Sequence, residues 1–149
     1  MKKYRLNEKA WSNKTAWKLV NENWTLCHEI VDYRDGHKCV LCGALSNLQL
    51  DHTISRTHKA VFFETDHLNY LCPRHHTAKS FNPASYTSKQ VDEVTRKRVG
   101  TKRYEELIRQ AQRTLPVWRT VAFQEGVKEE LLEYLIFLKS VREPNGWKS

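Results

Sequence analysis

Nowhere does the chain run apolar for the length of a membrane span, so neither a membrane-crossing helix nor a membrane partner is expected. Its basic start, MKKYRLNEKAW, has no apolar run behind it, so a signal peptide is not expected either, and a soluble cytoplasmic protein is. Acidic residues are in deficit. Seventeen Asp and Glu against 25 Lys and Arg leave a net charge of +8, which favours a polyanionic partner. Cysteine is scarce: four residues could close two disulfides, but a paired spacing with interleaved histidines suits a metal better. A reducing compartment then leaves Cys27 as a buried thiol. With 149 residues, 40% of them hydrophobic, residues 1–149 suffice for a single domain and not for two large ones.

Three of the four cysteines and six of the seven histidines fall between residues 37 and 80. Cys39 and Cys42 are two residues apart, and Cys72 and His75 repeat that spacing thirty residues on. Thiolate and imidazole are the ligands zinc prefers, and two such knuckles closing on one ion make a tetrahedral structural site. Asp51, His52 and His76 are then surplus to a zinc that already has four ligands.

The pattern around this stretch is α+β. Trp17, Val20, Trp24, Cys27 and Val31 recur at steps of three and four, which predicts a helix over 13–34 whose tryptophans belong in the core rather than stacking on bases. Asp35-Gly36 supplies a stop. Leu48-Gln49-Leu50 reads as a short strand ending at Asp51-His52, residues 53–66 as a loop, and 68–71 as a second strand. Pro73 opens a helix. Neighbours on a helix project about 100° apart, so His75 turns to the zinc with Cys72 while His76 faces elsewhere, on the side of Lys79. Residues 80–89 form a connector, followed by helices over 90–99, 102–114 and 125–142. Tyr104, Leu107, Ile108 and Ala111 are expected inward on the second of these. Val127, Leu131, Leu135, Leu138 and Val141 form the stripe of the third, before Pro144-Asn145-Gly146 closes the ordered part. Leu132, Ile136 and Phe137 make that helix apolar on another side too, which suits burial between elements or a homodimer contact. The chain thus divides into an N-terminal helical segment (1–35), a core (36–80) and a C-terminal helical extension (90–143).

Cys39-x2-Cys42, then Leu50-Asp51-His52, then Leu71-Cys72-x2-His75-His76-x2-Lys79 resembles the zinc-stapled branch of the HNH endonucleases, whose shared core is the ββα-metal fold. The likeness covers about a third of the chain. It implies that His52 is the general base that activates water and that Asp51 and His76 hold a divalent ion. Cys39, Cys42, Cys72 and His75 would be the structural Zn²⁺ set. Two positions depart from the family pattern. His75 stands where a cysteine is usual, and His67 stands where an asparagine normally ties down the catalytic loop, with Asn69 two residues later. His67 can fill that role and is favoured by its position, or Asn69 can after a small shift in strand register.

The implied reaction is phosphodiester hydrolysis of DNA. Neutral imidazole is a suitable base near pH 7, and one Mg²⁺-like ion clamps the phosphate and the leaving oxygen; an Asp-plus-His ligand pair also suits Mn²⁺ or Ni²⁺. Arg56 and Lys79 are candidate phosphate contacts or solvated surface charges. The helix 90–99, with its TRKR run, and the following VGTKRYEELIRQAQ resemble the NinG (Rap) recombination proteins of lambda-like phages. This implies duplex or branched DNA as substrate, in a bacterial or phage-infected cell. Two other classes stand beside the enzyme. One is a non-catalytic zinc-dependent DNA-binding or recombination accessory factor, and the other is an interaction module built on the final helix.

Overall fold

A computed structural model of the protein describes residues 3–4, 13–82 and 84–142, with five helices and one two-stranded sheet among them. In chain order these are α1 (Lys14–Asp35), β1 (Gln49–His52), β2 (Leu68–Leu71), α2 (Pro73–Phe81), α3 (Tyr86–Val99), α4 (Thr101–Ala111) and α5 (Val121–Arg142). Short 3₁₀ turns cover Lys59–Val61, Thr65–His67 and Pro116–Arg119. The architecture is α+β and mostly helical. No helix among the described residues is long and apolar enough to cross a membrane. The chain divides into two compact units, one of residues 35–114 and one of residues up to 34 together with those from 115.

In the unit of residues 35–114, β1 and β2 pair antiparallel with Asp51 opposite Asn69 and His52 opposite Leu68. Two four-residue strands cannot stand alone in water, so the hairpin depends on what packs over it. Helix α2 packs on both strands, α3 packs on α2 and α4, and α4 covers the Lys59–Val61 turn. One cluster joins Cys39, Leu71, Cys72 and Val91, with Val40, Leu41, Ala44 and Leu48 against it. A second joins Val61, Leu107 and Ala111 with Ile54, and it sits beneath the loop between the strands. The expected core at 36–80 and the α3–α4 helices thus lie in one unit.

In the other unit α1 buries Val20, Trp24, Cys27 and Val31 of the expected stripe, so Trp24 is a core residue, while Trp17 at the start of the helix is only partly buried. Gly36, at φ 77°, follows the helix in the left-handed conformation that makes it a stop. On α5, Leu131, Leu135 and Leu138 are buried, while Ile136 (65% exposed) and Phe137 (56%) lie on the outer side. Asn23 of α1 donates to the backbone oxygen (2.9 Å) and side-chain Oε1 (3.1 Å) of Gln124, both side chains being fully buried.

Several boundaries move. Helix α3 starts at Tyr86, not 90, because Ser85 Oγ accepts from Ser88 N (3.1 Å) and caps it, which shortens the connector to four residues, 82–85. Helix α5 starts at Val121, not 125, where Thr120 Oγ1 accepts from Phe123 N (3.2 Å). Helix α4 stops at Ala111, short of 114. Ile108 is half outside, since Tyr104, Leu107 and Ala111 already complete the inward line, and Val141 is exposed because it has rotated off the α5 stripe. Apart from Lys3 and Tyr4, the expected irregular stretch 1–12 lies outside the described residues. So does Pro144-Asn145-Gly146.

Candidate functional site

The first knuckle is shaped by its backbone. Gly43 N donates to Cys39 O and Cys39 N to Ala44 O (both 2.9 Å), and Gly43 takes φ 75°, which a residue with a Cβ adopts only under strain. Val40 N donates to Tyr70 O (2.9 Å), fastening the knuckle to β2. The second knuckle is the start of α2: Cys72 precedes the helix, Pro73 occupies its first turn, and His75 follows one turn from Cys72.

The four expected zinc ligands converge, with their ligand atoms all within 4.8 Å of one another. Cys42 Sγ is 3.8 Å from Cys72 Sγ, and His75 Nδ1 is 3.5 Å from Cys39 Sγ and 3.3 Å from Cys72 Sγ. Ligand atoms about 2.1–2.3 Å from a tetrahedral ion stand roughly 3.5–3.8 Å apart, so this Cys₃His set fits a structural zinc. The electrostatics agree. Burial pushes the Cys39 thiol up, but backbone N–H groups of Cys72, Cys42 and Leu41, with His75, outweigh it and bring the thiol down to about 6. At Cys42 the Ala44 N–H favours the thiolate, but desolvation and the sulfurs of Cys39 and Cys72 push it up. Crowded thiolates repel, and a dication relieves that repulsion.

His76, one residue past the cluster, turns away from it. Its Nε2 stands 3.9 Å from Asp51 Oδ1. Two atoms bound to one ion at about 2.1 Å lie between roughly 3 Å apart at right angles and about 4.2 Å apart across the ion, so the spacing admits a shared divalent cation. Asp51 Oδ2 is buried and accepts no aligned hydrogen bond among the described residues. Lys79 Nζ lies 2.9 Å from it as an ion pair, and it also donates to His52 O at 2.9 Å. Burial pushes the Asp51 carboxyl up, and Lys79 and His76 work against that rise. Lys79 is therefore spent within the cluster, while Arg56 is exposed on the loop.

His52 lies beside Asp51 on β1. Its Nε2 is 3.0 Å from Phe62 O, and its ring is 4.4 Å from the Phe62 ring. A carbonyl only accepts, so Nε2 carries the proton and Nδ1 the lone pair. Burial holds its pKa well below the ordinary histidine value, and the neighbouring His67, Lys59 and Arg56 charges add to this against the Phe62 carbonyl.

His67 and Asn69, alternatives in the sequence, take different jobs. His67 Nε2 donates to Val61 O (2.6 Å), and its Nδ1 accepts from Ile54 N (3.3 Å), so one ring at the end of the loop between the strands staples its start and its middle. Asn69 Nδ2 donates to Thr53 Oγ1 and Thr95 Oγ1 (both 2.9 Å), and Oδ1 accepts from Arg98 Nη1 (2.7 Å). Thr53, Thr95 and Arg98 carry no local signal in the sequence; only folding brings them to Asn69. Phe62 contributes to the site through a carbonyl, which no sequence pattern reports. The remaining histidines pack: His28 on Tyr4 and Trp24, His37 on Tyr70, and His58 Nδ1 3.1 Å from Ala111 O at the end of α4.

The His67 staple makes stability depend on pH. Burial, partly opposed by the Val61 carbonyl, lowers its pKa to about 4. The unfolded value is about 6.5, so between the two the unfolded chain binds a proton that the native state refuses. Stability is complete above the unfolded value and falls as pH drops toward the folded one, by about 3 kcal/mol in all. Urea unfolding at steps from about pH 7 to 4 is expected to show this loss in the wild type and a shallower one in His67→Gln. Equal pH slopes would contradict the assignment.

No family model matches the chain, and no curated protein and no solved structure matches it.

Proposed function

We propose that the chain is a metal-dependent DNA endonuclease of the HNH kind, hydrolysing phosphodiester bonds in duplex or branched DNA. The observation that carries this reading is the approach of His76 to Asp51 (3.9 Å), next to His52, on a hairpin and helix whose first turn also belongs to the Cys₃His cluster. In this reading the zinc set stiffens the frame. Asp51 and His76 would hold a divalent ion, which supplies Lewis-acid stabilisation of charge on the phosphate and the leaving oxygen. His52 Nδ1 takes a proton from water as the water oxygen bonds to phosphorus and the bond to the 3′ oxygen breaks. Burial keeps that imidazole neutral, with the lone pair on Nδ1 unprotonated. The net charge of +8 supplies attraction for the phosphate backbone.

The test is cleavage of supercoiled plasmid and of a synthetic four-way junction with Mg²⁺, Mn²⁺ or EDTA. Metal-dependent nicking or cutting that EDTA abolishes is the expected outcome. A zinc-loaded, DNA-binding protein that leaves both substrates intact would overturn it in favour of a non-catalytic zinc-dependent accessory factor. One feature favours that second reading: the Lys79 ammonium, 2.9 Å from Asp51 Oδ2, competes with a cation for the same oxygen.

A further inference from the structure

The candidate base is on β1, but the groups that hold the backbone on its far side come from α3. Arg98 Nη1 donates to Asn69 Oδ1 (2.7 Å), while Nη2 donates to Asp66 O (2.6 Å) and reaches Leu68 O (3.5 Å). One guanidinium therefore grips the carbonyls on either side of His67 and the side chain opposite Asp51. Asp35 Oδ2, 3.8 Å away, offsets its charge.

The proton directions in this array follow one from another. Guanidinium has no acceptor, so the atom of Asn69 facing Arg98 is the oxygen, and the amide nitrogen must face Thr53 and Thr95. Thr95 Oγ1 donates to Val91 O (2.8 Å), which uses its only hydrogen. It can then only accept from Asn69 Nδ2 and, at 3.0 Å, from the Thr53 hydroxyl. Asn69 and Thr95 are fully buried, so no solvent competes. A flipped Asn69 would set donor against donor at Arg98 and leave Thr95 with nothing to accept from the amide. Arg98 thus decides the amide's orientation, and the amide decides where the Thr53 hydroxyl points. Thr53 is the residue after His52, and its N–H donates to His67 O (3.0 Å).

We infer that Arg98 is a positioning residue for His52, acting through Asn69 and Thr53. This rests on the nuclease reading for its effect on rate, but not for its effect on the imidazole. The variants are Arg98→Lys, whose single ammonium cannot span the same three oxygens, and Thr53→Val, which removes one hydroxyl at the link nearest His52 and carries the test should the first fail to fold. Two readouts are needed on zinc-loaded protein: single-turnover cleavage beside DNA affinity, and the imidazole ¹⁵N signals of His52.

A positioning role predicts a rate lower by about tenfold to a hundredfold for Arg98→Lys, with unchanged zinc content and affinity within about twofold. It also predicts that the His52 signals pass from one tautomer to an exchange average, with a smaller change of the same kind in Thr53→Val. Unaltered His52 signals in a folded variant overturn the inference whatever the rate. So does weaker DNA binding with a smaller salt dependence, which would make Arg98 a phosphate contact. If the wild type cleaves nothing, the nuclease reading fails, and the imidazole signals still decide the positioning role.

Discussion

Cys72→Ser is expected to empty the zinc site and unfold residues 35–114 as a unit, not to loosen one turn. Cys72 is one of the four residues whose geometry fits a zinc ion, the residue that leads into α2, and a member of the buried cluster with Cys39, Leu71 and Val91. Without the knuckles the hairpin has four residues a strand and loses the buried cluster of Cys39, Leu71, Cys72 and Val91. Structural zinc contributes on the order of 10 kcal/mol in small domains, similar to the whole stability of an ordinary one, so losing it leaves little margin. Metal content by mass spectrometry and thermal unfolding by circular dichroism check this together. Loss of zinc with loss of the cooperative transition is expected, and the same outcome is expected from strong chelation of the wild type. His75→Cys should keep the metal, because a thiolate replaces imidazole in a tetrahedral set without changing its number. A Cys72→Ser protein that melts within a few degrees of wild type would show that packing alone holds this unit.

What could be seen in advance was local. The Cys39/Cys42 and Cys72/His75 spacings, the alternation at 48–52 and 68–71, and the three-and-four rhythm of α1 each lie within one element, where geometry follows directly from position. The divergence of His75 and His76 was legible for the same reason: consecutive helical residues must point apart, and they do, one to sulfurs and one to Asp51. The misplaced starts of α3 and α5 have different causes. Helix α3 opens in a stretch with Ser80, Ser85, Thr87 and Ser88, where several residues could cap and the fold selects Ser85, whereas α5 opens after Thr120, more than a turn before the apolar stripe from Val127 gives any sign of it.

Contacts made across the chain were not legible. Lys79 looked like a phosphate contact because it is basic and close to the motif, yet its ammonium reaches back 27 residues to the His52 carbonyl and on to Asp51. Position favours His67 over Asn69 for tying down the loop, although both have the required hydrogen-bonding groups. In the fold they serve different partners, His67 the loop backbone and Asn69 the α3 side chains. The histidine thus staples the loop, while the amide is anchored from another helix.

His52→Ala is expected to reduce metal-dependent cleavage by about a hundredfold to ten-thousandfold, the range for removing a general base, with zinc content unchanged because His52 is outside the Cys₃His set. Alanine alone would not prove the role. The imidazole also fills buried space against Phe62 and donates to its carbonyl, so its removal leaves a cavity and an unanswered acceptor. His52→Gln separates the two effects. Its amide can donate to the Phe62 carbonyl and occupies much of the same volume, but it has no lone pair basic enough to take a proton from water. If Nδ1 is the base, His52→Gln recovers stability over His52→Ala and cleaves no better. If the histidine matters only for packing, His52→Gln should regain both. Single-turnover rates, DNA affinity and melting temperature for the two variants distinguish these outcomes. A glutamine variant cutting near the wild-type rate would remove His52 from the chemistry and leave His76 or a metal-bound water to be tested as the source of the base.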